Sequence, residues 1–166
     1  MRALVCSSFD GPAALTMGEL PEPQPGPRDL LVDVHAASLT FMDCLMVSGQ
    51  YQLRPPLPFA PGTEAAGVVL AAGGDVTRFR PGDRVACGEY VGAFAERIAI
   101  DESLVTRIPD GLSFEVAATV RHAYGTAWYA LVERAHLRAG ETVFVSGAAG
   151  GVGLATVDLA AHLGAR

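Results

Sequence analysis

The sequence predicts a mixed fold, a small barrel of short β-strands across residues 2–110 followed by the opening of a doubly wound α/β domain. Three observations carry this reading. Short runs of strand-forming residues alternate with Gly, Pro and Asp turn chemistry up to residue 110. After Pro109-Asp-Gly111 the apolar spacing changes from two to a helical period. Finally, Val143-Phe-Val-Ser-Gly-Ala-Ala-Gly-Gly-Val-Gly-Leu-Ala155 reads as a buried strand, a glycine-rich turn and a helix start.

Taken in order, Arg2 to Ser7 is a strand ended by Asp10-Gly-Pro12. Ala13 to Leu20 is a second candidate. It is closed by Pro21-Glu-Pro-Gln-Pro-Gly-Pro27, a stiff loop that cannot donate to a sheet ladder. Leu30 to Ala37 alternates, with Leu30, Val32 and Val34 on one face and Leu31, Asp33 and His35 on the other. Ala65 to Ala72 is a strand of small residues, and Phe79 to Ala86 is a turn entering a strand. Gly92 to Ile100 is expected as a further strand, Ala93, Ala95 and Arg97 facing away from Phe94, Glu96 and Ile98. Ser113 is a helix N-cap with Glu115 in the first turn. Helical spacing then runs through Val116 and Val120, and again from Gly125 to Leu137. The resulting division is residues 1–122 and residues 123–166.

The glycine turn carries the chemistry. Ala148, Gly150 and Gly153 occupy the Gly-x-Gly-x-x-Gly spacing, with Gly151 and Val152 between them. A small first residue permits the tight turn, Gly150 lets the backbone approach a phosphate, and Gly153 lets helix and strand pack closely. Free N–H groups at the helix start then face an anion, aided by the helix dipole. The competing reading is a purely structural turn. In such a domain a ribose-reading side chain falls about 20 residues beyond the glycines, past Arg166, and a lone strand leaves both its edges unpaired. The sequence therefore reads as the front portion of a longer protein.

Composition narrows the class. Half of the 166 residues are hydrophobic and 18% are charged, which suits a globular chain. Twelve basic against eighteen acidic side chains give −6 with no basic stripe, which argues against nucleic acid as a partner. No apolar run is long enough to suggest a membrane span. Cys6, Cys44 and Cys87 are widely separated and never spaced C-x-x-C, which points to a reducing, cytoplasmic setting.

These residues also resemble a family. Val34-His-Ala-Ala-Ser-Leu39, Pro55-Pro-Leu-Pro-Phe-Ala-Pro-Gly-Thr-Glu-Ala-Ala-Gly67, Phe79-Arg-Pro-Gly-Asp-Arg-Val85, Tyr124-Gly-Thr-Ala127 and Leu137-Arg-Ala-Gly-Glu-Thr-Val143 are similar, in order and spacing, to the zinc-free quinone oxidoreductases of the medium-chain dehydrogenase/reductase superfamily. The resemblance implies a GroES-like β-barrel followed by a Rossmann-type domain, NADPH as hydride donor, and a quinone or enone-type small molecule as acceptor. It also implies a homodimer for intact members. Zinc-dependent relatives carry Cys at the position of Thr40 and His at that of Thr63; a threonine hydroxyl is a poor zinc ligand, so no metal is expected. His122 lies near a third ligand position, where a single imidazole cannot hold the ion. Family members often carry Asn where this chain has Thr40.

In the family the acceptor cleft is lined by the segment that here runs from Thr40-Phe-Met-Asp43 to Tyr51, which makes Thr40, Asp43 and Tyr51 the candidate catalytic residues. Asp43 reads equally well as a helix-start carboxylate, and Tyr51 as an aromatic packed under the proline loop. Thr126 would lie near the nicotinamide, against a plain role in helix packing. Ala148, Gly150, Gly151, Val152 and Gly153 complete the cofactor set. The leading function is hydride transfer from NADPH to a quinone. The alternatives are an enoyl or acryloyl reductase on the same scaffold, or a non-catalytic GroES-like module.

Overall fold

The computed structural model describes residues 1–166, which divide into two compact units, Met1–Thr119 and Val120–Arg166. The first is organised by β3 (Asp29–Ala37), whose alternation puts Leu30 and Val32 inside with no accessible surface. Complete burial of each such side chain contributes roughly 1.5–3 kcal/mol. β3 pairs antiparallel with β4 (Glu64–Ala72) on one side and β6 (Arg97–Asp101) on the other. With β5 (Arg84–Gly88) and β7 (Val105–Arg107) the sheet order is β6-β3-β4-β5-β7, every neighbour antiparallel. Val69, Val85, Cys87, Ile98, Ile100 and Val105 close over Leu30 and Val32 as the main core. A separate hairpin of β1 (Arg2–Val5) and β2 (Thr16–Glu19) is joined to this unit by bridges from Ala3 to Ala95 and from Cys6 to Phe59.

A bulge interrupts β3. Val34 pairs with Gly67 and Ala36 with Ala66, so His35 has no partner on β4. A bulge kinks the strand and re-aims a side chain. Here His35 lies against the ring of Phe114, centroids 4.5 Å apart, with its Nε2 3.3 Å from Asp33 Oδ2. The approach requires glycine opposite: a Cβ on Gly67 would stand 1.8 Å from the carbonyl oxygen of Asp33. Phe114 opens the short α2 (Phe114–Ala117), whose Ser113 hydroxyl caps the N–H of Val116. The guanidinium of Arg84 lies over the same Phe114 ring, 4.5 Å from its centroid, and donates to the carbonyls of Asp110 and Leu112.

Two strand expectations are corrected. Ala13–Leu20 is not one strand, because Pro12–Ala14 forms a 3-10 turn and pairing starts only at Thr16. Gly92–Ile100 is likewise interrupted. Gly92, Ala93 and Phe94 donate their N–H groups to Ala60, Gly62 and Pro61 of the proline loop, and regular pairing starts at Arg97. The buried set therefore changes parity, from Ala93 and Ala95 to Ile98 and Ile100.

The second unit contains α3 (Val120–Trp128), a π-helical turn (Tyr129–Arg134) and α4 (Gly151–His162). Tyr124 of α3 donates its hydroxyl to Asp158 of α4 at 2.9 Å. Val143–Val145, expected as a strand, has no sheet partner. Its one ladder contact is to Arg166, which donates to the carbonyl of Glu141 and accepts from the N–H of Val143, the pattern of a parallel pair. Phe144, Trp128, Tyr129 and Leu154 stay exposed, Phe144 at 91%.

Candidate functional site

The link from β3 to β4 brings the candidate acceptor residues together. After Ser38 the chain extends through Thr40, with φ −118° and ψ 162°, and then enters α1 (Phe41–Val47). The spacing of Thr40 and Asp43 closes a capping box. Asp43 Oδ2 accepts from the Thr40 N–H at 2.7 Å and from the Thr40 hydroxyl at 2.8 Å, while Asp43 N–H points back to Thr40 Oγ1 at 3.4 Å. Asp43 is 3% exposed, and its other oxygen, Oδ1, is buried with no hydrogen-bond partner. Burying an acceptor without a donor typically costs about 1–3 kcal/mol. The flanking Leu39 and Phe41 do the opposite: both are 77% exposed and form an apolar rim on either side of Thr40.

Thr63, at the entry to β4, sets its hydroxyl oxygen 3.5 Å from that of Thr40. Its neighbour Glu64 is buried and accepts from Ser38 Oγ at 2.6 Å. Ser38, Asp43, Thr63 and Glu64 are all the buried polar side chains of the chain, and this one junction holds them. Sequence reading names Thr40, Asp43 and Thr63 but misses Ser38, whose partner is 26 residues away. Tyr51 packs against the cluster of Cys6, Met46, Val47 and Phe59, beside a proline loop with a cis bond at Leu57-Pro58. The paired Thr40 and Thr63 hydroxyls are neutral oxygen donors, and no group of three His, Cys, Asp or Glu side chains is placed to hold a metal ion. This donor set does not fit zinc, which takes thiolate, imidazole or carboxylate.

In the second unit the glycine turn has the properties that an anion cradle needs. Gly147 takes φ +76°, so the left-handed step of the turn is made there and not at Ala148. Gly150 is the N-cap of α4 and provides no side chain to cap it. The first N–H bonded back into the helix is that of Leu154, to Gly150 at 2.8 Å. The preceding amides of Gly151, Val152 and Gly153 are those a helix start leaves unpaired. A Cβ on Gly151 would meet nothing within 4 Å, so the helix start is open at that residue. A helix start without a side-chain cap is suited to an anion. Thr126 lies at an exposed position of α3, two residues beyond Tyr124.

Comparison with known proteins places this architecture. The model of the alcohol dehydrogenase GroES-like domain matches residues 26–110, and the chain belongs to that family. Over its whole length the chain is similar to the N-terminal portion of quinone oxidoreductases of the medium-chain dehydrogenase/reductase superfamily. Quinone oxidoreductase-like protein 2 of Rattus norvegicus is 43% identical over 162 residues, which is 98% of this chain and 46% of that protein. Among solved structures, a probable oxidoreductase from Mycobacterium abscessus superposes with a TM-score of 0.93 at 41% identity, over 100% of this chain and 53% of the other. The quinone oxidoreductase of Thermus thermophilus, solved also with NADPH, gives 0.84 at 37% identity, over 100% and 52%. The chain spans about half the length of the curated relatives that it matches. The sheet of the first unit is accordingly a GroES-like half-barrel, followed by the start of a Rossmann-type unit.

Proposed function

We propose that the protein is an NADPH-dependent, zinc-independent oxidoreductase that reduces a quinone or a similarly electrophilic acceptor. The observation that carries this reading is the start of α4, which no side chain caps and which is open at Gly151. When bound, the nicotinamide supplies a hydride. Gly151, Val152 and Gly153 would hold the pyrophosphate through main-chain N–H groups, and Thr126 would contact the nicotinamide. The role of Leu39 and Phe41 is to receive a flat apolar ring and keep water from it. Asp43 and Thr40 fix the start of α1 that presents this rim, and Tyr51 backs it from the core. A quinone carbonyl is electrophilic without a Lewis acid, so the hydroxyl pair in place of metal ligands suits this acceptor class. The similarity to NADPH-binding quinone oxidoreductases supports the same choice.

The test is NADPH oxidation by the full-length protein, with and without a simple quinone and after exhaustive chelation. Quinone-dependent turnover that survives chelation is the expected result. A rate independent of quinone, or one abolished by chelation and restored by zinc, would overturn the reading.

A further inference from the structure

We propose that the hydroxyl presented to the acceptor's oxygen is that of Thr63, with Thr40 serving only to orient it; this rests on the oxidoreductase reading above. A hydroxyl has one proton to give. Thr40 gives its proton to Asp43 Oδ2 at 2.8 Å, and its oxygen already faces the Asp43 N–H. It has no donor left for a ligand. In the contact with Thr63 it must therefore be the acceptor, which makes Thr63 the donor across 3.5 Å. That distance is at the limit of a hydrogen bond. Its proton is thus weakly engaged and can turn to a better acceptor.

The surroundings hold this hydroxyl in place. Thr63 is 5% exposed. Its carbonyl accepts from the Glu89 N–H at 3.1 Å, and the carbonyl of Gly62 accepts from Ala93 at 3.1 Å. Gly62 has φ +97°, and a Cβ there would fall 2.5 Å from the ring of Phe94. On the other side Glu64 is tied to Ser38. A donor fixed by its backbone and shielded from water strengthens its bond as negative charge develops on an acceptor oxygen, without reorganising. The hydroxyl keeps its proton throughout; it stabilises the oxyanion that hydride addition creates.

The experiment compares Thr63→Val, Thr63→Ala and Thr63→Ser in the full-length protein, with a carbonyl-labelled quinone as probe. For Thr63→Val we expect kcat with quinone to fall about 100-fold, with KM for NADPH unchanged and Thr63→Ser recovering most of the loss. Infrared spectra of the bound quinone should show a carbonyl band lowered in frequency by the wild type and by Thr63→Ser, but not by Thr63→Val. Thr63→Ala serves the same comparison if the valine variant does not fold. A wild-type kcat, with a carbonyl band lowered in the hydroxyl-free variants as far as in the wild type, would overturn the assignment. Failure of the wild type to oxidise NADPH with quinone would instead overturn the oxidoreductase reading. The infrared comparison still decides on Thr63 in that case, since a Thr63-dependent shift supports the contact and a Thr63-independent one refutes it.

Discussion

Gly153 must be glycine because of Gly147: a Cβ on Gly153 would stand 2.2 Å from the carbonyl oxygen of Gly147 and 2.8 Å from Cα of Ala148. At Gly151, two residues earlier, an added Cβ would meet nothing within 4 Å. The two glycines therefore serve different ends, one the packing of turn on helix and the other access to it. Gly153→Ala should destabilise the chain and weaken NADPH binding together, because the turn itself must move. Gly151→Ala should leave the melting temperature unchanged or raise it, since removing a glycine at a compatible position contributes about 0.4–1 kcal/mol. NADPH affinity should nonetheless fall at least several-fold in Gly151→Ala. Parallel melting and NADPH titration of both variants would separate the effects; equal affinity in Gly151→Ala would show that nothing approaches that position.

The capping box gives a second expectation. Thr40→Val removes the hydroxyl that accepts from Asp43 N–H and donates to Asp43 Oδ2. Loss of an N-cap typically costs about 1 kcal/mol. Urea unfolding of Thr40→Val should show that loss with an unchanged slope. Stability equal to wild type would mean that α1 is held by its packing alone.

Asp83 provides a pH signature. Its desolvation acts to raise its pKa, but bonds from the Arg107 guanidinium and the Arg80 main-chain N–H prevail and hold the carboxyl below its usual range. A carboxylate with a depressed folded pKa adds stability above its unfolded value of about 3.9, and that stability is lost as pH falls through the folded value. Asp83→Asn should therefore be less stable than wild type at neutral pH, and the gap should close as the pH drops below the carboxylate range. Urea midpoints of both proteins from pH 7 to pH 2 test this, and a gap that is constant with pH would refute it.

The cysteines should differ in reactivity. Burial pushes the Cys6 thiol up, and its Sγ donates to the Ser8 carbonyl. Cys87 has no accessible surface, whereas Cys44 on α1 is partly exposed. Because the thiolate is the reactive form and must be reached, alkylation of the native protein should label Cys44 first, at least 10-fold faster than the other two. Peptide mapping after timed iodoacetamide treatment would show it.

Local signals in the sequence were enough wherever a few neighbouring residues decide the outcome. The alternation of Leu30 and Val32, the Ser113 cap and the glycine turn are all of this kind. Sequence failed where distant partners intervene. Gly92 to Phe94 alternates like a strand, but its N–H groups go to the proline loop more than 30 residues away. Val143–Val145 has strand composition but lacks neighbours to pair with. The π-helical turn at Tyr129–Arg134 was not legible either, since six residues are too few for a change of helical period to stand out in the apolar spacing. At the candidate site, Thr40 and Asp43 could be named from their motif, but not that they are bound to each other. The Ser38–Glu64 bond joins two elements that only the folded sheet brings together.

The exposed apolar side chains of Val120–Arg166 also bear on biosynthesis. Ribosomes add roughly 5–20 residues per second. In a polypeptide of the relatives' length, the antiparallel half would be free to fold while translation continued. Phe144, Trp128 and Leu154 would wait on the order of ten seconds for later residues to reach them. That interval is when a nascent chain meets chaperones, which bind exposed apolar side chains of this kind.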